Sequence, residues 1–256
     1  MVATDRVKYS MSSSLAAPSM DLQTTLQIKL IAVSKIFVVH KEKICTAIPS
    51  FQEILEKSSE FTQHGIIEIN DLIDYSSMAV MIEWVYTGKL ALRNPKLDQD
   101  DDKNTKVRRR ELTDVYFVAR GFKALNLQTD VIDEFRVLSK KRRMECSLLE
   151  RVVGCCSVVC GLARYMIDDI AELLSRKPDA YNDEESRWSK NFRELIERIP
   201  PLGIAIFSAT MDLNAQKAPM PEKQPVKYYH ALVEVDVSMN EDSDSDDEDD
   251  SSEDNE

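Results

Sequence analysis

The sequence predicts an α+β protein, in which short strands near the N-terminus precede a long run of helices. Apolar residues alternate with polar ones in residues 25–40 and again in 65–70. From residue 76 onward they recur every three or four positions instead. Alternation is typical of strands with one buried face, and the longer period is typical of amphipathic helices. The order of the two periodicities therefore predicts a small sheet followed by helices.

The composition is that of an ordinary globular protein with one unusual end. The chain has 256 residues, of which 43% are hydrophobic and 30% charged, enough for one domain with a core, or one domain plus an extension. The net charge of −12 is concentrated in residues 241–256, which hold 11 Asp or Glu and no Lys or Arg. The rest of the chain is nearly neutral. We therefore expect no nucleic-acid partner, because the acidic tail would repel phosphate groups.

Neither a membrane anchor nor secretion is expected. The N-terminus lacks the apolar region of a signal peptide, and the longest nearly apolar run, 152–163, is too short to span a bilayer. The five cysteines, an odd number, are typical of reduced thiols. We expect a soluble intracellular protein, cytoplasmic or nuclear or both, with no membrane partner.

Three strands and several helices account for the first half of the chain. The first two strands, at 25–31 and Lys35–His40, are close enough for a hairpin, and a third follows at 65–70. Two short helices divide near Pro49. The next helix ends at Gly88, where a left-handed exit suits glycine, and residues 112–138 hold two more.

The second half predicts a helical extension over residues 141–213. Residues 147–175 have the most regular helical period in the chain, and a further helix at 188–199 is stopped by two prolines. The pattern at 202–213 fits a helix or a strand equally well. Three other regions are predicted to lack regular structure: a disordered N-terminus at 1–21, a flexible charged insertion at 93–110, and a mostly disordered segment at 214–256 that ends in the acidic tail.

The cysteines at Cys155, Cys156 and Cys160 raise the remote alternative of a thiol-dependent enzyme or redox sensor. On one continuous helix, Cys156 and Cys160 would share a face, but they fall on its apolar stripe, where cysteine behaves as a small hydrophobe. Zinc needs four ligands, commonly in Cys-x-x-Cys pairs, and no such pair is present in the sequence. We therefore expect buried, inert thiols and neither a catalytic residue, a metal nor a cofactor.

Residues 22–140 resemble the BTB/POZ domain. The resemblance rests on an ordered set of residues in strands and helices, whose role we take to be structural: Phe37, Val39, His40, Lys41, Cys45, Phe51, Trp84, Tyr86, Thr87 and Gly88. Residues 112–133 are similar to the paired closing helices of that family. The extension is similar to the helical extension of short fungal BTB proteins.

The resemblance implies a small mixed three-stranded sheet covered by helices, and a non-enzymatic protein–protein interaction module or scaffold that forms a homodimer. An alternative is a substrate adaptor of a cullin-type ubiquitin ligase. The family's cullin contact includes a hydrophobic-x-Glu motif, which corresponds here to Phe61-Thr62-Gln63, so Phe61 and Gln63 are its candidate contacts. The acid is replaced by an amide.

In the acidic tail, Ser243, Ser245 and Ser251 each have an acidic residue three positions later. This spacing makes them candidate sites for acidophilic kinases, which would add further negative charge. The alternative is that the tail only increases solubility.

Overall fold

The computed structural model describes residues 25–57, 66–69, 73–92, 102–139 and 143–215, together with Pro221, Gln224 and Tyr229. The chain divides into two compact units, Met1–Val131 and Ile132–Glu256, each with its own core. The three strands lie in the first unit, and the second unit is helical in its described residues.

The elements of the first unit are β1 (Thr25–Leu30), a 3-10 turn (Ile31–Val33), β2 (Lys35–His40), α1 (Lys41–Ala47), α2 (Ser50–Lys57), β3 (Ile66–Ile69), α3 (Tyr75–Thr87) and α4 (Asp102–Gly121). The helix α5 (Leu125–Ser139) contains the division between the units. The second unit continues with α6 (Cys146–Cys156), α7 (Gly161–Arg176), a 3-10 turn (Pro178–Ala180), α8 (Arg187–Arg198) and α9 (Pro200–Asn214).

The sheet is mixed, with β1 at its centre. β2 pairs antiparallel to β1 from Thr25↔His40 to Leu30↔Lys35, and β3 pairs parallel to β1. The alternating apolar residues of β1 are all buried, as their period predicts: Leu26, Ile28 and Leu30. The predicted hairpin and third strand are therefore confirmed.

Helices cover the buried face of this sheet. Phe51 of α2 is fully buried and stacks on Phe122 at a ring-centroid distance of 4.7 Å. α3 begins after Asp74, whose carboxylate accepts the backbone N–H of Ser77, as expected of an N-cap acid. The helix ends at Gly88, where φ is +63° and the backbone N–H donates to a carbonyl in the preceding turn. Glycine suits this left-handed exit because it has no Cβ.

The prediction of a flexible insertion at 93–110 is wrong for its second part, because Asp102–Arg110 forms the beginning of α4. The segment KVRRRE consists largely of good helix formers. Thr105 and Arg109 are also buried at a spacing of four, in line with the buried Thr113. This periodicity could not be recognised in the sequence, because the buried positions are polar or charged and lie among other charged residues. Residues 93–101 lie outside the described residues.

The second unit packs its last helix, α9, on α7. The stretch 202–213, which the sequence left open, is therefore helical, with Leu202 and Ile206 fully buried. α8 ends at Arg198, and Pro200 is the first residue of α9. Proline is favoured in the first turn of a helix. A Cβ on Gly203 would lie 3.3 Å from the Cβ of Ile196, so the start of α9 lies close to the end of α8.

The regular period at 147–175 belongs to two helices rather than one. α6 ends at Cys156, and Ser157 turns the chain with φ of +66° before α7 begins at Gly161. The Sγ of Cys160 accepts the N–H of Ala163 at 3.4 Å and caps α7. The break cannot be seen in the sequence because apolar residues line both helices. The predicted burial is nevertheless confirmed, since Cys156 is 3% and Cys160 6% exposed.

The predicted N-terminal disorder at 1–21 and the acidic tail fall outside the described part of the chain. Within the described part, none of the helices combines the length and the apolar character needed to cross a membrane.

We expect Cys156 and Cys160 to react with a thiol reagent far more slowly in the native protein than after denaturation, because both are buried. Cys155 is exposed and provides an internal control, which should react at once under native conditions. Mass spectrometry of peptides labelled over time measures all three rates. Equal rates at Cys155 and Cys156 would contradict the packing described above.

Candidate functional site

The junction between β2 and α1 is closed by contacts between His40 and Tyr86 of α3. The hydroxyl of Tyr86 accepts the backbone N–H of His40 at 2.8 Å and lies 2.9 Å from its Nδ1. The Tyr86 hydroxyl can therefore donate its proton to Nδ1 while it accepts the backbone N–H. Lys43 lies 5.7 Å above the same ring. His40 thus links the strand end to α3, and these contacts are structural ones.

The other residues on which the BTB/POZ resemblance rests also make structural contacts within the first unit. Phe37 stacks on Tyr75 with centroids 4.9 Å apart, and the Nε1 of Trp84 donates to Asp130 at 2.7 Å. The hydroxyl of Thr87 donates to the carbonyl of Glu83. The other members are divided by burial: Val39 and Phe51 lie in the core, Cys45 is half-buried, and Lys41 is exposed.

The β1–β2 hairpin carries the two most exposed large apolar residues in the described part of the first unit, Ile36 and Val38. Ile36 is 52% and Val38 64% exposed, and Ile31 and Val33 on the connecting turn are also exposed. We call these four residues the hairpin surface. Exposed branched side chains that cluster in this way often mark a site of protein association.

The hairpin surface also lies at an edge of the sheet. β2 pairs with β1 on one side, and none of the described strands pairs with its other side. The N–H of His40 points away from β1, towards Tyr86. Because hydrogen-bonding direction alternates along an antiparallel strand, the N–H and C=O groups of Val38 and Ile36 also point outward. Unpaired strand groups of this kind can bind another strand.

Three of the five thiols have features that do not suit a reactive site. Burial raises the pKa of the Cys146 thiol to about 11 and raises that of Cys45 as well, whereas a nucleophilic cysteine needs a lowered pKa. Cys160 uses its sulfur as a helix cap. In the described ranges, the His, Cys, Asp and Glu side chains nowhere form a group of three or more suited to a metal ion.

A second candidate site lies in the second unit, where side chains of α5 and α7 contact three described residues from beyond α9. The guanidinium of Arg136 donates to the carbonyls of Pro221 and Gln224 at 3.2 and 3.1 Å. The ring of Tyr229 is fully buried and packs edge-on against Tyr165 at 5.5 Å. We call the site formed by Arg136, Gly161, Tyr165 and Asp168 the tyrosine groove.

Close approach and polarity complete the tyrosine groove. A Cβ on Gly161 would lie 2.2 Å from the carbonyl oxygen of Tyr229, a distance that no side chain tolerates. Burial raises the pKa of the Asp168 carboxyl to about 6, although the Tyr229 hydroxyl and Arg164 act in the opposite direction. Burial and the Asp168 charge raise the pKa of Tyr229 well above its usual range. The Tyr229 hydroxyl therefore stays protonated.

Several predicted sites cannot be placed. Phe61 and Gln63, the candidate cullin contacts, lie outside the described residues, as do Ser243, Ser245 and Ser251. Neither the hairpin surface nor the tyrosine groove was predicted from the sequence. A signal for the first was present, because KIFVVH carries apolar residues on both faces of the strand.

The arrangement of the first unit, a three-stranded mixed sheet covered by helices, defines the class of domain to which it belongs. The model of the BTB/POZ domain family matches residues 19–104. This part of the chain is therefore a BTB/POZ domain, followed by a helical extension, and its predicted resemblance to that family is confirmed. The resemblance of the extension to that of short fungal BTB proteins stays a prediction. No curated protein matches the chain. A BTB/POZ domain indicates a module for protein–protein interaction.

We expect Tyr86→Phe to lower the free energy of unfolding by about 1 kcal/mol, because it leaves the His40 N–H without its acceptor. Chemical denaturation followed by circular dichroism measures the change. Tyr181→Phe is the matched control, because it keeps the ring contacts with Phe192 and Phe207. An equal or smaller loss in Tyr86→Phe than in the control would contradict the role assigned to the hydroxyl.

The free energy of unfolding should depend on pH more strongly in the native protein than in Asp168→Asn, because only the native protein has the Asp168 carboxyl. The folded protein keeps the Asp168 proton up to about pH 6, whereas an unfolded chain releases it near pH ~4. The stabilisation that comes from the raised pKa of Asp168 is complete below pH ~4 and is lost as pH rises through about 6.

The free energy of unfolding of the native protein, minus that of the variant, should therefore fall by about 2–3 kcal/mol from pH ~4 to pH ~7. Urea denaturation at a series of pH values measures the difference. The exposed Asp212 supplies a control for loss of a charge through Asp212→Asn. A constant difference between native protein and Asp168→Asn would contradict the raised pKa.

Proposed function

We propose that this protein is a non-enzymatic interaction module that self-associates through its BTB/POZ domain. The observation that carries the proposal is the hairpin surface, where Ile36 and Val38 are more than half exposed. Burying an apolar side chain of this size contributes on the order of 1.5–3 kcal/mol, so covering several of them favours association.

The edge position of β2 supports a contact between two copies. A second β2 strand can pair with the outward N–H and C=O groups of Ile36 and Val38, since both copies present the same edge. On the outer face, the neighbouring charges of Lys29 and Glu68 form an ion pair at 2.6 Å. Their charges are thereby balanced within one copy and do not oppose the approach of another.

The alternative of a cullin adaptor depends on residues 58–65, which include Phe61 and Gln63. The described residues contain no feature that favours the adaptor over self-association. The two functions differ in their partner, so one solution experiment with and without purified cullin distinguishes them.

We expect the native chain to sediment as a dimer at tens of micromolar, and Val38→Lys and Ile36→Lys to shift it towards monomer. A lysine on an edge strand opposes strand pairing and places like charges together in a symmetric contact. A tenfold or larger rise in the dimer dissociation constant corresponds to at least about 1.4 kcal/mol. Sedimentation equilibrium measures this constant, and circular dichroism verifies the fold.

Val137→Lys is the matched control, because Val137 is 53% exposed but lies in the second unit. It should leave the dissociation constant unchanged. A native chain that is monomeric throughout the concentration range would refute self-association. Dimers that survive both hairpin substitutions would place the contact elsewhere. A complex that forms only with added cullin would support the adaptor instead.

A further inference from the structure

The last described helix of the second unit, α9, is apolar on its exposed side as well as on its buried side. It packs on α7, and its residues Leu202 and Ile206 are fully buried. Yet Ile204 is 72% and Met211 71% exposed. Asp212 is the only charged residue in the 15 residues of this helix. Helices that are apolar all round are normally buried all round, so the exposed side of α9 suits a partner.

The exposed apolar residues of α9 form one stripe. Ile204, Phe207, Ser208 and Met211 are exposed and follow one another at i, i+3, i+4 and i+7, so they lie on the same side of the helix. We call these four residues the α9 face. Phe207 lies at one edge of it, where its ring packs edge-on against Tyr181 at 5.7 Å. The same spacing carries the anchors of amphipathic helices that dock on apolar surfaces.

The α9 face is fixed in place by contacts on its other sides. The ring of Tyr181 also packs edge-on against the buried ring of Phe192, at 6.1 Å. Near the end of α9, the hydroxyl of Ser175 donates to the side chain of Asn214 at 2.5 Å. A surface that is already ordered loses little conformational entropy when a partner covers it.

Acidic residues flank the α9 face on both edges. The turn that contains Tyr181, residues 179–185, holds four Asp or Glu and no Lys or Arg, and all four acids are exposed. Asp212 is exposed on the opposite edge, because five residues separate it from Phe207 on the helix. Lys177 and Arg187 lie just outside the turn, so the surroundings of the α9 face keep a net negative charge.

We propose that the α9 face is a docking site for a basic amphipathic helix of a partner protein. The apolar stripe of that helix covers Ile204, Phe207 and Met211, and Lys or Arg residues beside its stripe face the acids of residues 179–185 and Asp212. The proposal goes beyond self-association through the BTB/POZ domain, because it concerns residues of the second unit only.

Charge favours this partner over other occupants of the α9 face. In a symmetric contact, a second copy of the chain would bring the same acidic edges together. The acidic residues 241–256 and an anionic membrane surface are repelled for the same reason. A basic helix instead meets opposite charges on both edges, which favours its orientation and speeds its association.

The test uses the full chain and a fluorescein-labelled peptide of Leu and Lys, whose leucines recur at i, i+3, i+4 and i+7. Fluorescence anisotropy should show saturable binding to the native chain. Ile204→Gln and Met211→Gln should each raise the Kd by about fivefold or more, because each places a polar amide under the apolar stripe of the probe. Glutamine is a good helix former, so α9 should persist, which circular dichroism verifies.

Val137→Gln is the matched control, because Val137 is also exposed and lies on a helix of the second unit. It should leave the Kd unchanged. Since none of these three substitutions alters a charge, all of them leave binding to the acidic residues 241–256 as it was. Equal Kd values for the two α9 variants and the control would therefore overturn the proposal.

A second pair of variants tests the acidic edge. Glu184→Gln combined with Glu185→Gln should weaken probe binding at low ionic strength, and the difference should shrink as salt is added. Glu42→Gln combined with Glu53→Gln removes the same charge from exposed positions of the first unit and is the control. A probe with Glu in place of Lys should not bind measurably.

Three results would contradict the proposal. The first is a native chain that does not bind the Leu and Lys probe. The second is a Glu probe that binds as tightly as the Lys probe. The third is a shift of the native oligomer towards monomer in Ile204→Gln, measured by sedimentation equilibrium, which would place a second copy of the chain on the α9 face. The first two results leave self-association through the hairpin surface untouched, because neither depends on dimerisation.

Discussion

The central position of β1 is the constraint on which the first unit depends. β1 pairs on one side with β2 and on the other with β3, and its alternate side chains fill the core beneath the sheet. A shift of one residue in register would move Leu26, Ile28 and Leu30 to the outer face, so their burial fixes the pairing of both neighbours. Because β1 occupies the centre, β2 becomes an edge strand. The exposed hairpin surface is thus a consequence of the same arrangement that forms the core.

Much of the fold could be predicted because it depends on local periodicity. Alternation marked β1 and β3, and the exits at Gly88 and before Pro200 followed from the conformational preferences of single residues. Two features could not be predicted in this way. The first turns of α4 are so rich in charge that the buried positions of Thr105 and Arg109 left no visible pattern. The second is the break between α6 and α7, where the helix ends although the spacing of apolar residues continues across it.

The candidate sites show a similar contrast. The position of His40 between a strand and a helix could be inferred from the sequence, but its partner Tyr86 lies on another helix and required the three-dimensional structure. The tyrosine groove is harder still to predict from the sequence. Arg136 meets carbonyls from residues far along the chain, and a carbonyl has no sequence signature.

The anchoring of Tyr229 has a consequence for the charge at the end of the chain. Tyr229 is a fixed point on the second unit, and the acidic residues begin at 241. An extended chain spans at most about 3.6 Å per residue, so the first of these acids stays within about 45 Å of the groove. The strongly negative end therefore begins within this distance of Tyr229. A basic protein that approaches it meets an attractive potential, which speeds encounter at low ionic strength and weakens as salt is added.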